Sequence, residues 1–191
     1  MNNSEKLLKD YNDLEKGAYL GAIASIATAD HSATEEEIEF LRALAESADL
    51  SEEQEESIVR AAKELSTDEL ERCLDILKQS ELRFSLLTDI ISFAKSDGKY
   101  SPEEQKNVEE IAQRLDINRQ QFSLLDQFVD NAREKGNSED VVARPGILDS
   151  LGLSDKFKQA GINPPNFTKG LLGIVGPMVI AKLLSGAMQG R

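Results

Sequence analysis

Sliding the sequence along itself by 67 residues brings two stretches into register, and this repeat limits the fold more than any other feature. The slide pairs Asp30 with Asp97, Glu36 and Glu37 with Glu103 and Glu104, Ala45 with Ala112, and Asp49 with Asp116. Apolar classes agree at Leu20/Leu87, Ile23/Ile90, Ala27/Ala94, Leu41/Val108, Leu44/Ile111 and Leu50/Ile117. Starts, stops and core positions match together, which predicts one three-helix unit used twice.

Within each copy the apolar spacing is three and four residues, as in Leu87, Ile90, Ile91 and Ala94, or Leu20, Ile23 and Ala27. That period belongs to helices with inward-facing stripes. Thr34 with Glu37, and Ser101 with Glu104 behind Pro102, are capping-box signals that open a second helix in each copy. Ser51 with Gln54, and Asn118 in the other copy, open a third. A further helix over Asp68 to Gln79, with Leu70, Leu74 and Leu77 inward, bridges the copies, and Cys73 within it packs as a small apolar group. Few aromatics, no Trp and abundant Leu, Ala, Glu and Lys suit helices and not strands. The expected fold is therefore an all-α bundle of about seven helices with an internal duplication over residues 1–136. Polar residues 137–140, then Pro145, Pro164, Pro165 and frequent Gly, mark residues 137–191 as a linker and a Gly/Pro-interrupted C-terminal segment.

Charge narrows the function. Six Lys/Arg against two Asp from residue 144 onward leave +4 there and -17 in the first 143 residues, for a total of -13. A surface of that sign repels nucleic acid and attracts cations or basic partners. Cys73 has no partner for a disulfide, and Met1 is not followed by a basic and apolar leader, so a cytoplasmic protein is expected.

Each copy places an Asp ahead of a Glu with six residues between them, Asp30 to Glu37 and Asp97 to Glu104, across the loop between its first and second helices. Short loops rich in carboxylates suit hard cations such as Ca²⁺ and Mg²⁺. Residues 97–104 match the second half of an EF-hand loop, but Phe93 and Lys95 stand at its first and third ligand positions, so an EF-hand proper is rejected. Against a metal, Glu37 and Glu104 already serve as capping partners, and acids in a first turn complement the helix dipole. His31 lies in the first of these loops and reads as a surface histidine; no zinc site or Cys/His nucleophile follows from one His and one Cys so far apart. No catalytic constellation is found.

The doubled pattern of small-residue helix, Ala/Ser-Asp, short loop, Ser/Thr-x-x-Glu and amphipathic helix resembles the tellurite-resistance TerB family over roughly residues 15 to 135. The resemblance implies a helical fold with a duplicated unit, no enzymatic activity, and a divalent cation, Ca²⁺ or Mg²⁺, held by Asp30, Glu37, Asp97 and Glu104. It also implies a part in a stress or membrane-associated response.

The apolar run Leu171 to Ala181 ahead of Lys182 is about half of the roughly 20 residues that a membrane span needs. Residues 167–189 are therefore expected to meet a protein partner or another copy of the chain, to pack on the helical body, or to touch a membrane surface through their basic cast. The alternative function is a structural adaptor whose acidic body docks a basic partner.

Overall fold

In a computed structural model of the chain, residues 8–27, 34–64, 67–95, 98–135 and 146–171 are described, and every regular element among them is an α-helix. They form two units, one up to Ser80 and one from Glu81.

The first unit is organised by α1, Asp13–Ala27. Asn12 caps it: Asn12 Oδ1 accepts the Glu15 N–H at 2.9 Å, and the Glu15 carboxylate accepts the Asn12 side-chain N–H at 2.7 Å. The consecutive residues Ala18, Tyr19, Leu20, Gly21, Ala22, Ile23 and Ala24 are all buried. A helix apolar on every side has to be enclosed, so the stripe expected at Leu20 and Ile23 is part of a fully buried rod. It is enclosed by α2, Glu35–Ser47, α3, Glu52–Glu64, and α4, Thr67–Leu77. Gly21 lets α4 come close, because a Cβ there would stand 3.0 Å from Cys73 Sγ. Lys16 is buried and its ammonium donates to the Ala48 carbonyl at 2.9 Å, satisfying an orphan acceptor just past the end of α2.

The second unit has the same kind of centre. Helix α5, Leu82–Ala94, buries Phe84, Ser85, Leu86, Leu87, Thr88, Asp89, Ile90 and Ile91 in succession. Around it pack α6, Pro102–Arg114, and α7, Arg119–Lys135. Helices α2 and α6 start and stop 67 positions apart, as do the starts of α3 and α7. The joins agree as well. Asp49 and Asp116 both take left-handed backbone, at φ 60° and 57°. The next amides, of Leu50 and Ile117, donate back to Ala45 and Ala112 at 3.0 and 2.9 Å. This is a Schellman stop, and aspartate is among the few residues besides glycine that tolerate it. Ser51 with Gln54, and Asn118 with Gln121, then cap the following helices.

The remaining side of α5 is covered from beyond residue 137. Residues 146–171 hold three short helices, α8, Ile147–Ser150, α9, Ser154–Gln159, and α10, Pro164–Gly170, and α10 lies on α5. Phe157 and Phe167 are 0% and 1% exposed and meet Phe128 of α7, with ring centroids 6.3 and 5.2 Å from it. Burying each ring contributes about 1.5–3 kcal/mol. The Ser85 hydroxyl donates to the Phe167 carbonyl at 2.9 Å, and Gln121 Nε2 to the Ala160 carbonyl at 2.9 Å. Residues 146–171 thus add Ile147, Leu148, Leu153, Phe157, Ile162 and Phe167 to the core of the second unit.

A Cβ on Gly170 would stand 2.4 Å from Ser85 Oγ and 2.9 Å from Leu82 Cδ2. Gly170→Ala is expected to destabilise by about 1–3 kcal/mol in urea unfolding. Gly17→Ala, within α1 and with nothing inside 4 Å of the added methyl, is expected to stabilise by about 0.5–1 kcal/mol. Effects of the same sign in both would contradict this packing.

Candidate functional site

The turn into α6 is where a sequence-expected ligand can be examined atom by atom. Ser101 is the N-cap; its Oγ accepts the Glu104 N–H at 3.2 Å, and Glu104 Oε2 accepts the Ser101 N–H at 2.7 Å. One oxygen of Glu104 is therefore committed to the capping box. Glu37 lies on α2, but its side chain, with Asp30, His31 and Asp97, is outside the described residues. Among the described residues no group of three or more His, Cys, Asp or Glu stands close enough to hold a metal ion.

Beside that turn the structure assembles a cluster that the sequence reading passed over. Lys95, one residue past the end of α5, reaches α7, where its ammonium is 2.6 Å from Asp126 Oδ1 and 2.8 Å from Asp130 Oδ1. These acids are four apart, so one helix face presents both. The lysine side chain is 11% exposed, against 32% and 53% for the two carboxylates, so the cation is the enclosed member. Its ammonium also stands 5.2 Å over the Tyr100 ring. From the same face Arg133 donates to the Lys95 carbonyl, closing an orphan acceptor at the end of α5.

Burial pushes the Lys95 ammonium toward neutrality, but the hydrogen bonds it donates to Asp126 and Asp130 and the charge of both carboxylates outweigh it, and its pKa is raised. The Tyr100 hydroxyl is buried without a hydrogen-bond partner. Burial first, then the carboxylates of Asp126, Glu109, Glu104 and Asp130, push its pKa up to about 12. Four acids thus crowd one phenol, and one ammonium offsets part of their charge. Elsewhere burial, followed by the charge of Glu69, raises the Cys73 thiol to about 11, which leaves it a packing group and not a nucleophile.

The family model described as tellurite resistance protein TerB matches residues 16–127. The chain belongs to the TerB family. No curated protein and no solved structure matches it. The TerB match runs from within α1 to within α7 and stops short of Asp130, Arg133 and the three short helices. The lysine cluster therefore straddles the end of the matched region. A sequence signal for it did exist: 67 positions earlier, Lys95, Asp126 and Asp130 correspond to Thr28, Val59 and Lys63, so the three differ as a set.

The two raised pKa values give this TerB chain an alkaline limit. The fold favours the neutral Tyr100 hydroxyl, so its contribution is complete below the ordinary value of 10.0 and is lost as pH climbs to about 12. The fold favours charged Lys95, whose contribution is likewise complete below its unfolded pKa and lost as pH rises through the raised one. Tyr100→Phe deletes the first linkage and is expected to move alkaline unfolding, followed by circular dichroism, to higher pH. A midpoint that stays put or falls would refute the assignment.

Proposed function

We propose that this TerB-family chain is a non-enzymatic binding module, acting in a stress or membrane-associated response, whose ligand carries positive charge. The observation that supports this reading is the charge of α2, α3 and their flanks. Residues 34–64 hold eleven Asp/Glu and three Lys/Arg, a net -8 in 31 residues, and one of the three, Arg42, is engaged by Glu55 within the same pair of helices. Like charges at that density oppose compaction, and a bound cation or a basic partner relieves the repulsion. Against enzymatic activity, the described groups with shifted protonation, Cys73, Lys95 and Tyr100, form no pair of nucleophile and base.

Two ligands meet the requirement. One is a divalent cation, Ca²⁺ or Mg²⁺, at the Asp-x6-Glu loops, with Asp30 and Glu37 in the first and Asp97 and Glu104 in the second. The other is the basic segment of a protein partner on α2 and α3, which would make the chain an adaptor. Phe167 and Gly170, at the start of the apolar stretch 167–189, are buried in the second unit, so a partner, a second copy or a membrane surface would be met by residues 172–189, outside the described residues. Among the described residues no helix is long and apolar enough to cross a membrane.

Calorimetry at near-physiological salt separates the readings. The cation reading expects saturable Ca²⁺ or Mg²⁺ binding that Asp30→Asn and Glu37→Gln reduce at the first loop and Asp97→Asn and Glu104→Gln at the second; a flat titration with Ca²⁺, Mg²⁺ and Mn²⁺ sinks it. The adaptor reading expects a lysine-rich peptide to bind in a manner weakened by salt and indifferent to chelator.

A further inference from the structure

Residues 146–171 sit on the second unit in the manner of a bound peptide. Their backbone hydrogen bonds close locally: Gly152 and Gly161 end α8 and α9 in left-handed backbone, at φ 69° and 79°, and the next amides, of Leu153 and Ile162, donate back to Leu148 and Phe157 at 2.8 and 2.9 Å. Side chains tie the segment to the bundle. Ser85 of α5 donates to the Phe167 carbonyl, Gln121 of α7 to the Ala160 carbonyl, and Asn166 donates to the Glu81 carboxylate just ahead of α5. The apolar anchors are Phe157 and Phe167, with ring centroids 4.9 Å apart, both set against Phe128. Gly170 completes the fit, seated where a Cβ would stand 2.4 Å from Ser85 Oγ. A short segment that offers aromatic anchors to a helical face binds in the helix-in-groove mode. The match to the TerB model ends at residue 127, before this segment begins.

We propose that the face of α5 and α7 under this segment is a peptide-docking groove, and that its partner in trans is the same segment of a second copy of the chain, exchanged as an arm. The groove lies in the second unit and owes nothing to what the acidic helices α2 and α3 bind. The contacts an arm makes do not depend on which chain supplies it, so an exchanged arm recovers the full set. Helices of four, six and seven residues do not persist alone in water, so the arm leaves as an unfolded segment and folds again on whichever groove it meets. Residues 136–145 join it to α7, ten residues that extend at most about 36 Å. A tether of that length holds the arm at an effective concentration on the order of mM, so the closed monomer prevails in dilute solution and exchange sets in when copies are gathered to comparable concentration.

Amide-resolved NMR of the full chain carrying Phe167→Asp, which puts a charge into the ring cluster and frees the arm, tests this with a synthetic peptide of residues 146–171 as the probe. Saturable shifts are expected at Ser85, Gln121 and Phe128, at least about tenfold tighter than any wild-type response, because in the wild type the groove is filled in cis. The same peptide carrying Phe167→Asp is expected to stay silent. Gly170→Leu, which collides with Ser85 at the seat, stands in should the aspartate variant not fold. Between chains, Phe167→Asp leaves a free groove and Ser85→Leu a free arm, with Phe128→Ala in place of Ser85→Leu should that chain not fold. Each alone is expected to sediment as a monomer, and the mixture as a 1:1 dimer. A folded, arm-released chain that does not bind the peptide overturns the groove, and peptide binding without a mixed dimer overturns exchange between copies. Unfolding of α5, α6 and α7 in both arm variants also overturns the proposal, because the segment is then inseparable core and not an arm.

Discussion

The enclosure of α1 and α5 on every side is the constraint on which the rest depends. Neither helix has a solvent face over its middle turns, so each requires neighbours all round. In the first unit the chain supplies them in order, as α2, α3 and α4. In the second, α6 and α7 leave a side open, and α10 closes it. That is why a segment rich in Gly and Pro, poor material for long helices, still holds two fully buried phenylalanines. The close approaches run through glycine both times, Gly21 on α1 toward Cys73 of α4 and Gly170 on α10 toward Ser85 of α5. A rod so enclosed admits few large side chains at its contacts, which accounts for the Ala, Ser and Gly content of α1.

Enclosure also dictates where charge can go. The acids lie mainly on the outer helices, in water, where a pair such as Arg42 with Glu55 adds little to stability. Basic residues share the inward polar contacts with Ser85 and Gln121. Lys16 satisfies a carbonyl past the end of α2, Arg133 satisfies one past the end of α5, and Lys95 enters the acid cluster on α7. In a chain with 35 acids and 22 bases, Lys16 and Lys95 are the buried cations among the described residues. Removing Lys95 leaves Asp126 and Asp130 without the ammonium between them, whereas removing a surface Glu relieves repulsion.

What was legible in the sequence was local. Ser101 with Glu104, Ser51 with Gln54 and Asn118 with Gln121 act across three residues, and the helices start where those signals stand. The helical class and the TerB resemblance followed from such short-range patterns. The all-round burial of α5 was harder to foresee, because a stripe and a buried rod share the same apolar positions and differ in what covers the other face. Contacts such as Ser85 with Phe167, 82 residues apart, leave no periodic trace in the chain. The Lys95 cluster spans 35 residues and was hidden differently, since a lysine in an acidic chain reads as one more solvated charge.

Asp49 and Asp116 show how recurrence at a fixed offset should be weighed. They repeat as faithfully as Asp30 and Asp97, yet their backbone explains them: each ends a helix in left-handed conformation, where aspartate is tolerated and most side chains are not. Glu104 is likewise explained, by the N–H it accepts at 2.7 Å. Recurrence alone therefore argues for a shared local structure before it argues for a ligand. The asymmetric positions are more telling, because a shared fold does not demand them. Lys95, Asp126 and Asp130 depart together from Thr28, Val59 and Lys63, and they do so beside one of the two Asp-x6-Glu loops. The second unit thus ties the end of α5 to α7 through an ion pair at positions where the first unit's sequence offers Thr28, Val59 and Lys63.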